Sequence, residues 1–112
     1  MGLPNAHRAL VEREKIVAYL LNAAHPDNGG KALFFRSLGF DANDWSRFAA
    51  ALRRLAVTGV VSRRLDSTHG TKYLVDGRLE GSGGTAHSVR TVWIVEHGQD
   101  APRLVTTFPH GN

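Results

Sequence analysis

The segment His87–Phe108, HSVRTVWIVEHGQDAPRLVTTF, sets the architecture of this chain. β-branched and aromatic residues crowd Val89–Glu96, Gly98-Gln99-Asp100 breaks the run, and Arg103–Phe108 resumes it after Pro102, which offers no ladder donor. Two such runs around Gly/Asp/Pro punctuation predict a β-hairpin. Apolar residues dominate both strands, yet Arg90, Thr91, Arg103, Thr106 and Thr107 stand among them. A hairpin that only fills a core has no need of two arginines, so a working surface is expected here.

Upstream, Val60–Leu65 and Thr71–Leu79 read as two more strands, with Gly81-Ser82-Gly83-Gly84 turning the chain into the hairpin. Before Val60 the period changes. Trp45, Phe48, Ala49, Leu52, Leu55 and Ala56 recur at three and four residues and predict an amphipathic helix, started by Asp41 as its cap and stopped at Thr58-Gly59. A shorter helix is expected from about Gly30 to Leu38, with Gly39 in the position that ends it and Phe40 folding back. A first helix is expected over Glu12–Leu21, on the stripe Ile16, Tyr19, Leu20, and is ended by Asn22 and His25-Pro26. Residues 1–8 read as a loose lead-in. The fold class is therefore α+β: three N-terminal helices (about 10–58) followed by a four-stranded antiparallel sheet (about 60–109), in one domain spanning 1–112. One sheet face must cover the helices. Val89, Thr91, Trp93 and Val95 share one face of the third strand and Arg90, Val92, Ile94 and Glu96 the other, and alternation does not choose between them.

The 112 residues suit a single core. There is no cysteine, which excludes disulfides, a thiol nucleophile and thiolate metal sites. No apolar run approaches the roughly 18 residues of a membrane span, and the start lacks a signal peptide's apolar region, so no membrane and a cytoplasmic location are expected. Lys and Arg number 14 against 10 Asp and Glu, a net charge of +4, which favours an acidic partner.

The connector His25-Pro26-Asp27-Asn28-Gly29-Gly30-Lys31 is the most unusual local feature. Lys31 opens a helix, where the macrodipole disfavours a cation by roughly 0.3–1 kcal/mol. An anion such as phosphate between it and the backbone would explain that placement; a solvated lysine swung aside would also satisfy the sequence. His25 follows a helix end, where it can serve the last carbonyls or act as an acid or base near neutral pH. Arg90 and Arg103 on adjacent strands can bind an acidic ligand or pair with Glu96, Glu80 or Asp76. Trp93 is a core residue by default, or a stacking platform for a base. Lys72, in the His69-Gly70-Thr71-Lys72-Tyr73 turn, adds a further cation. No HExxH, paired histidines at ligand spacing or carboxylate cluster occurs, so no metal and no cofactor are expected.

The stretches EKIVAYLLNAAHPDNGGKALFFRSLGF, HGTKYLVDGRLEG and VRTVWIVEHGQDAPRLVTTFP resemble a family of small bacterial domains of unknown function, across nearly the whole chain. The pattern runs YLL-x3-HP, GG-KA-x2-F, G-x-KY, V-x2-VW, PRLVT. More loosely, the layout is similar to the Barnase–EndoU–colicin–RelE-like nucleases, among them toxin domains of contact-dependent inhibition proteins that cut tRNA. That resemblance implies helices before a four-stranded antiparallel sheet, metal-independent RNA cleavage and a small cognate antitoxin or immunity-type protein. The matching positions are His25, Lys31, Trp93 and Thr106, with Arg90 beside them. The sequence therefore leads to a ribonuclease of the toxin type. Its expected catalytic residues are His25, Lys31, Arg90 and Thr106, and Trp93, Arg103 and Lys72 are expected to bind the RNA, a tRNA or mRNA. A non-catalytic module that binds its cognate protein, or a domain that binds RNA without cutting it, is the alternative.

Overall fold

The computed structural model of the chain describes residues 2–26, 29–81 and 84–111. Four strands, β1 (Val60–Ser67), β2 (Gly70–Glu80), β3 (Ala86–Glu96) and β4 (Arg103–Pro109), form one antiparallel sheet in the order β1-β2-β3-β4. Two α-helices precede it, α1 (Gly29–Ser37) and α2 (Trp45–Thr58). The α+β order and all four predicted strands are present. Among the described residues no helix is long and apolar enough to cross a membrane. The turn residues Ser82 and Gly83 and the connector residues Asp27 and Asn28 lie outside the described residues.

The face question left open by alternation is settled by packing. Val89, Thr91 and Trp93 are buried, opposite Gly77, Val75 and Tyr73 of β2, and this face meets the helices. The predicted stripe of α2, Phe48, Ala49, Leu52, Leu55 and Ala56, is buried throughout. Gly77 lets α2 settle on β2, since a Cβ there would lie 3.0 Å from Leu55 Cγ. Gly39 ends α1 with a φ of 95°, and the amides of Gly39 and Phe40 close on the carbonyls of Arg36 and Phe35. Phe40 then stacks on Phe48 with ring centroids 4.5 Å apart. Asp41 does cap, accepting from the Asn43 amide at 2.7 Å, but what it caps is a 3-10 turn, Ala42–Asp44, that leads into α2.

Two expectations are corrected. The first helix is not an α-helix over Glu12–Leu21: Lys15–Leu20 is wound as a π-helix, and the Leu21 amide reaches back five residues to the Ile16 carbonyl at 2.8 Å. Ile16, Leu20 and Leu21 are all fully buried, and the wider winding keeps the two consecutive leucines on the Ile16 side. Nor is the described part of the predicted lead-in, residues 2–8, loose. Leu3, Ala9 and Val11 are buried in the core, Ala6–Arg8 makes a 3-10 turn, and Leu10 bridges in parallel to Arg103. The Leu10 amide donates to Pro102 and its carbonyl accepts from Leu104, so the N-terminal segment covers the outer edge of β4 where that strand begins.

Candidate active site

The irregular winding at Lys15–Leu20 directs the chain into a tight turn. The Asn22 side chain donates to the Ala18 carbonyl at 3.2 Å and accepts from the Ala24 amide at 3.0 Å, closing a side-chain turn. That turn folds His25 back, and its ring meets the Tyr19 ring edge-on, centroids 5.0 Å apart and planes at 90°. Arg36 of α1 donates through Nε and Nη2 to the Leu21 carbonyl, at 3.0 and 2.8 Å. This fork ties α1 to the end of the π-helix and sets where the first turn of α1 points.

Lys31 lies in that first turn. It does not swing into solvent: its ammonium donates to the Tyr19 hydroxyl at 3.1 Å and to Thr106 Oγ1 at 3.1 Å. Thr106 arrives from β4 next to an irregularity. Trp93 pairs with Leu104 but Val92 pairs with Thr106, so the register skips Val105 and the alternation of β4 breaks there. Three segments far apart in sequence thus meet at one half-buried cluster of ammonium, phenol and hydroxyl, with His25 against the phenol ring.

The electrostatics are dominated by cations. Lys31 and Lys15 lie 5.1 and 5.4 Å from the centre of the Tyr19 ring. The hydrogen bond from Lys31 holds the Tyr19 hydroxyl below its usual pKa. Burial opposes this, while the Thr106 hydrogen bond and the two lysine charges add to it. A depression of about 260 Å³ lined by Glu12, Glu14, Lys15 and Tyr19 opens beside the cluster. Both acids on that rim are engaged by arginines, Glu12 by Arg103 at 3.2 Å and Glu14 by Arg13 at 3.6 Å. A larger cavity, about 630 Å³, lies elsewhere, between α2 and the adjoining parts of β1 and β2, with Ala51, Leu55 and Val60 among its walls. No group of three or more His, Asp or Glu able to hold a metal ion occurs among the described residues.

The other predicted site residues fall outside the cluster. Trp93 is a correction: its side chain is fully buried, its indole donates to Thr91 Oγ1 at 2.7 Å, and no base can stack on it. Arg90 projects from the opposite face of β3, and its guanidinium forks onto Asp76 at 2.7 and 2.9 Å. That fork keeps the Asp76 carboxyl below its ordinary pKa. Arg103 is held by Glu96 at 2.6 Å and by Glu12. Lys72 stands across from Ile94, in the row of β2 residues that also holds Asp76. Tyr19 is the member of the cluster whose sequence position suggested only an apolar stripe. The available signal was a phenol between Lys15 and His25.

Helical segments before a four-stranded antiparallel meander, with a cationic corner where they meet the last strand, define a small α+β domain whose fold recurs. It matches a chain of a contact-dependent growth inhibition toxin–immunity protein complex from Klebsiella pneumoniae 342, with a TM-score of 0.73 and 17% identity over 96% of this chain and 97% of that one. A comparison with curated proteins finds no match. The chain belongs to the family described as a domain of unknown function, DUF6883, whose profile matches residues 2–111.

Proposed function

We propose that this domain is a metal-independent ribonuclease of the toxin type, paired with a cognate neutralising protein. The observation that carries the reading is the placement of Lys31. An ammonium held 3.1 Å from both Tyr19 and Thr106, with His25 on the same phenol, puts a fixed cation beside a group able to move protons. In this reaction a ribose 2′-oxygen attacks the adjacent phosphorus, the bond to the 5′-oxygen breaks, and a cyclic phosphate remains. His25 moves a proton, Lys31 balances the charge gathering on the phosphoryl oxygens, and Thr106 donates to one of them. Arg90 and Arg103 stand in ion pairs with Asp76 and with Glu96 and Glu12, so neither is offered to the scissile phosphate. The fold shared with a member of a toxin–immunity complex supports a place in such a pair, and the cluster favours the toxin side of it.

The experiment is induced expression in a bacterial host, with total RNA resolved on a gel, and cleavage of purified tRNA and mRNA in the presence of chelator. Growth arrest with RNA fragmentation, lost in His25→Ala and Lys31→Ala variants that still fold and melt cooperatively, is the expected result. A harmless protein that cuts nothing ends this reading.

The free edge of the sheet favours the second reading, a protein-interaction module. β1 is the outermost strand, Val60 and Leu65 on it and Val57 at the end of α2 are exposed, and Arg53, Arg54 and Arg63 make no ion pair with a described residue. An acidic partner adding a strand there is the form this binding would take.

A further inference from the structure

Cleavage by a 2′-oxygen requires two proton transfers. One group takes the proton of the attacking hydroxyl, and another gives a proton to the departing 5′-oxygen. His25 can fill one of these roles in a given turnover and leaves the other open. Neither Lys31, which serves as a fixed cation, nor Thr106, which serves as a donor, fills it.

We infer that Tyr19 is the second proton-transfer residue and acts as the general base, with His25 as the general acid. This rests on the ribonuclease reading and deepens it. The geometry is specific. The Tyr19 oxygen accepts from the Lys31 ammonium at 3.1 Å, the same ammonium is 3.1 Å from Thr106, and the two lysines face the ring. The Lys31 hydrogen bond and the two lysine charges stabilise a phenolate over a phenol, and they lower the Tyr19 pKa against the opposing effect of burial. The acids nearest the depression, Glu12 and Glu14, are engaged by arginines and do not cancel the lysines. The phenol is only half-buried, so a nucleotide can reach it. His25 lies edge-on to the same ring, with centroids 5.0 Å apart, close enough for both groups to serve one phosphate.

In the balanced reaction the Tyr19 phenolate takes the 2′-hydroxyl proton and becomes a phenol. The 2′-oxygen forms its bond to phosphorus while the bond from phosphorus to the 5′-oxygen breaks. The 5′-oxygen takes a proton from the His25 imidazolium. The products are a 2′,3′-cyclic phosphate and a free 5′-hydroxyl, and Lys31 remains charged throughout.

The test uses the whole chain and total bacterial tRNA as the probe. Tyr19→Phe keeps the ring that His25 packs on and removes only the hydroxyl. It should lower the cleavage rate about 10²–10⁴-fold and shift the melting temperature by no more than the loss of one part-buried hydrogen bond allows. In the wild type the rate should follow a bell in pH, since the base must be ionised and the acid protonated, and 3,5-difluorotyrosine at position 19 should raise the rate on the acid side of that bell by ionising more of the base. A second readout needs no cleavage. Tyr19 and Tyr73 are the chain's two tyrosines and Tyr73 is buried, so phenolate absorbance should show an early step that Tyr19→Phe removes and Lys31→Ala moves to higher pH. A wild type that cuts tRNA, with Tyr19→Phe at full rate, overturns the role of Tyr19 and leaves the ribonuclease reading standing. An acid-side rate that 3,5-difluorotyrosine leaves unchanged overturns the assignment as base. A wild type that cuts no RNA ends both.

Discussion

Replacing Lys31 by alanine separates the two things this side chain does. Its ammonium makes two hydrogen bonds of 3.1 Å, to Tyr19 and Thr106. A hydrogen bond to a charged group contributes about 1.5–3 kcal/mol when buried. Here the contacts are only part-buried, and both acceptors regain water when the lysine goes, so each bond is worth about 1 kcal/mol or less. The first turn of α1 also stops opposing a cation, which returns roughly 0.3–1 kcal/mol. The net loss should be about 1 kcal/mol near neutral pH. It should grow as pH rises. Because the folded-state pKa of Tyr19 is depressed, its stabilisation is complete above the unfolded value of about 10 and is lost as pH falls through the lower folded value. Wild type should therefore gain on Lys31→Ala across that window. Urea denaturation at a series of pH values measures the difference. On RNA, loss of a fixed charge at the developing anion should cost about 10²–10³-fold in rate. A loss of stability above about 3 kcal/mol, or a gap between the variants that closes as pH rises, would contradict this account, because Lys31 would then be holding the fold rather than the phenolate.

Asp76→Asn breaks the fork from Arg90 and should cost about 1–2 kcal/mol at pH 7; since the Asp76 pKa is depressed, its contribution is full above about pH 3.9 and lost as pH falls through the lower folded value, so the two proteins should converge in acid melts. Trp93→Ala should cost about 3–5 kcal/mol by chemical denaturation, and a stable Trp93→Ala protein with impaired RNA binding would show that the indole is not core. Binding of single-stranded RNA should weaken with a log–log salt slope of roughly −2 if three phosphates are neutralised, and a flat response measured by fluorescence anisotropy would remove nucleic acid as the ligand.

The regular parts of the fold were readable because they obey simple periods. α2 buries the three-and-four stripe running from Phe48 to Ala56, and β3 buries Val89, Thr91 and Trp93 at every second position. The N-terminal segment was not readable, because Leu3, Ala9 and Val11 follow neither period and are ordered by docking against β4 rather than by local propensity. At the site, spacing placed His25 and Lys31 across a short connector, and the resemblance added Thr106 from the far end of the chain. What spacing could not supply was Tyr19, whose position in the stripe with Ile16 and Leu20 looked wholly apolar. For Trp93, the bare propensity for a strand tryptophan to be core was the better guide than the resemblance.

The cluster forms where two elements depart from their periods. Straight α-helical winding at Lys15–Leu20 would turn the Leu20-Leu21 pair differently, and with it the Leu21 carbonyl that Arg36 grips. A β4 without the skipped residue at Val105 would keep strict alternation, and Thr106 would share the buried face of Leu104. The skip instead gives the buried place opposite Thr91 to Thr107 and sets Thr106 across from Val92, half-exposed, where the Lys31 ammonium reaches it. Either irregularity costs regular hydrogen bonding, and each lies at a residue or segment that delivers a side chain to Lys31. Two of the irregularities in this small domain meet at one ammonium, while a third, the register shift between Val61 and Arg63 of β1, lies away from it. The same irregularities could not be read as periods in the sequence, which is why this corner of the molecule emerges only when helix, connector and last strand are brought together.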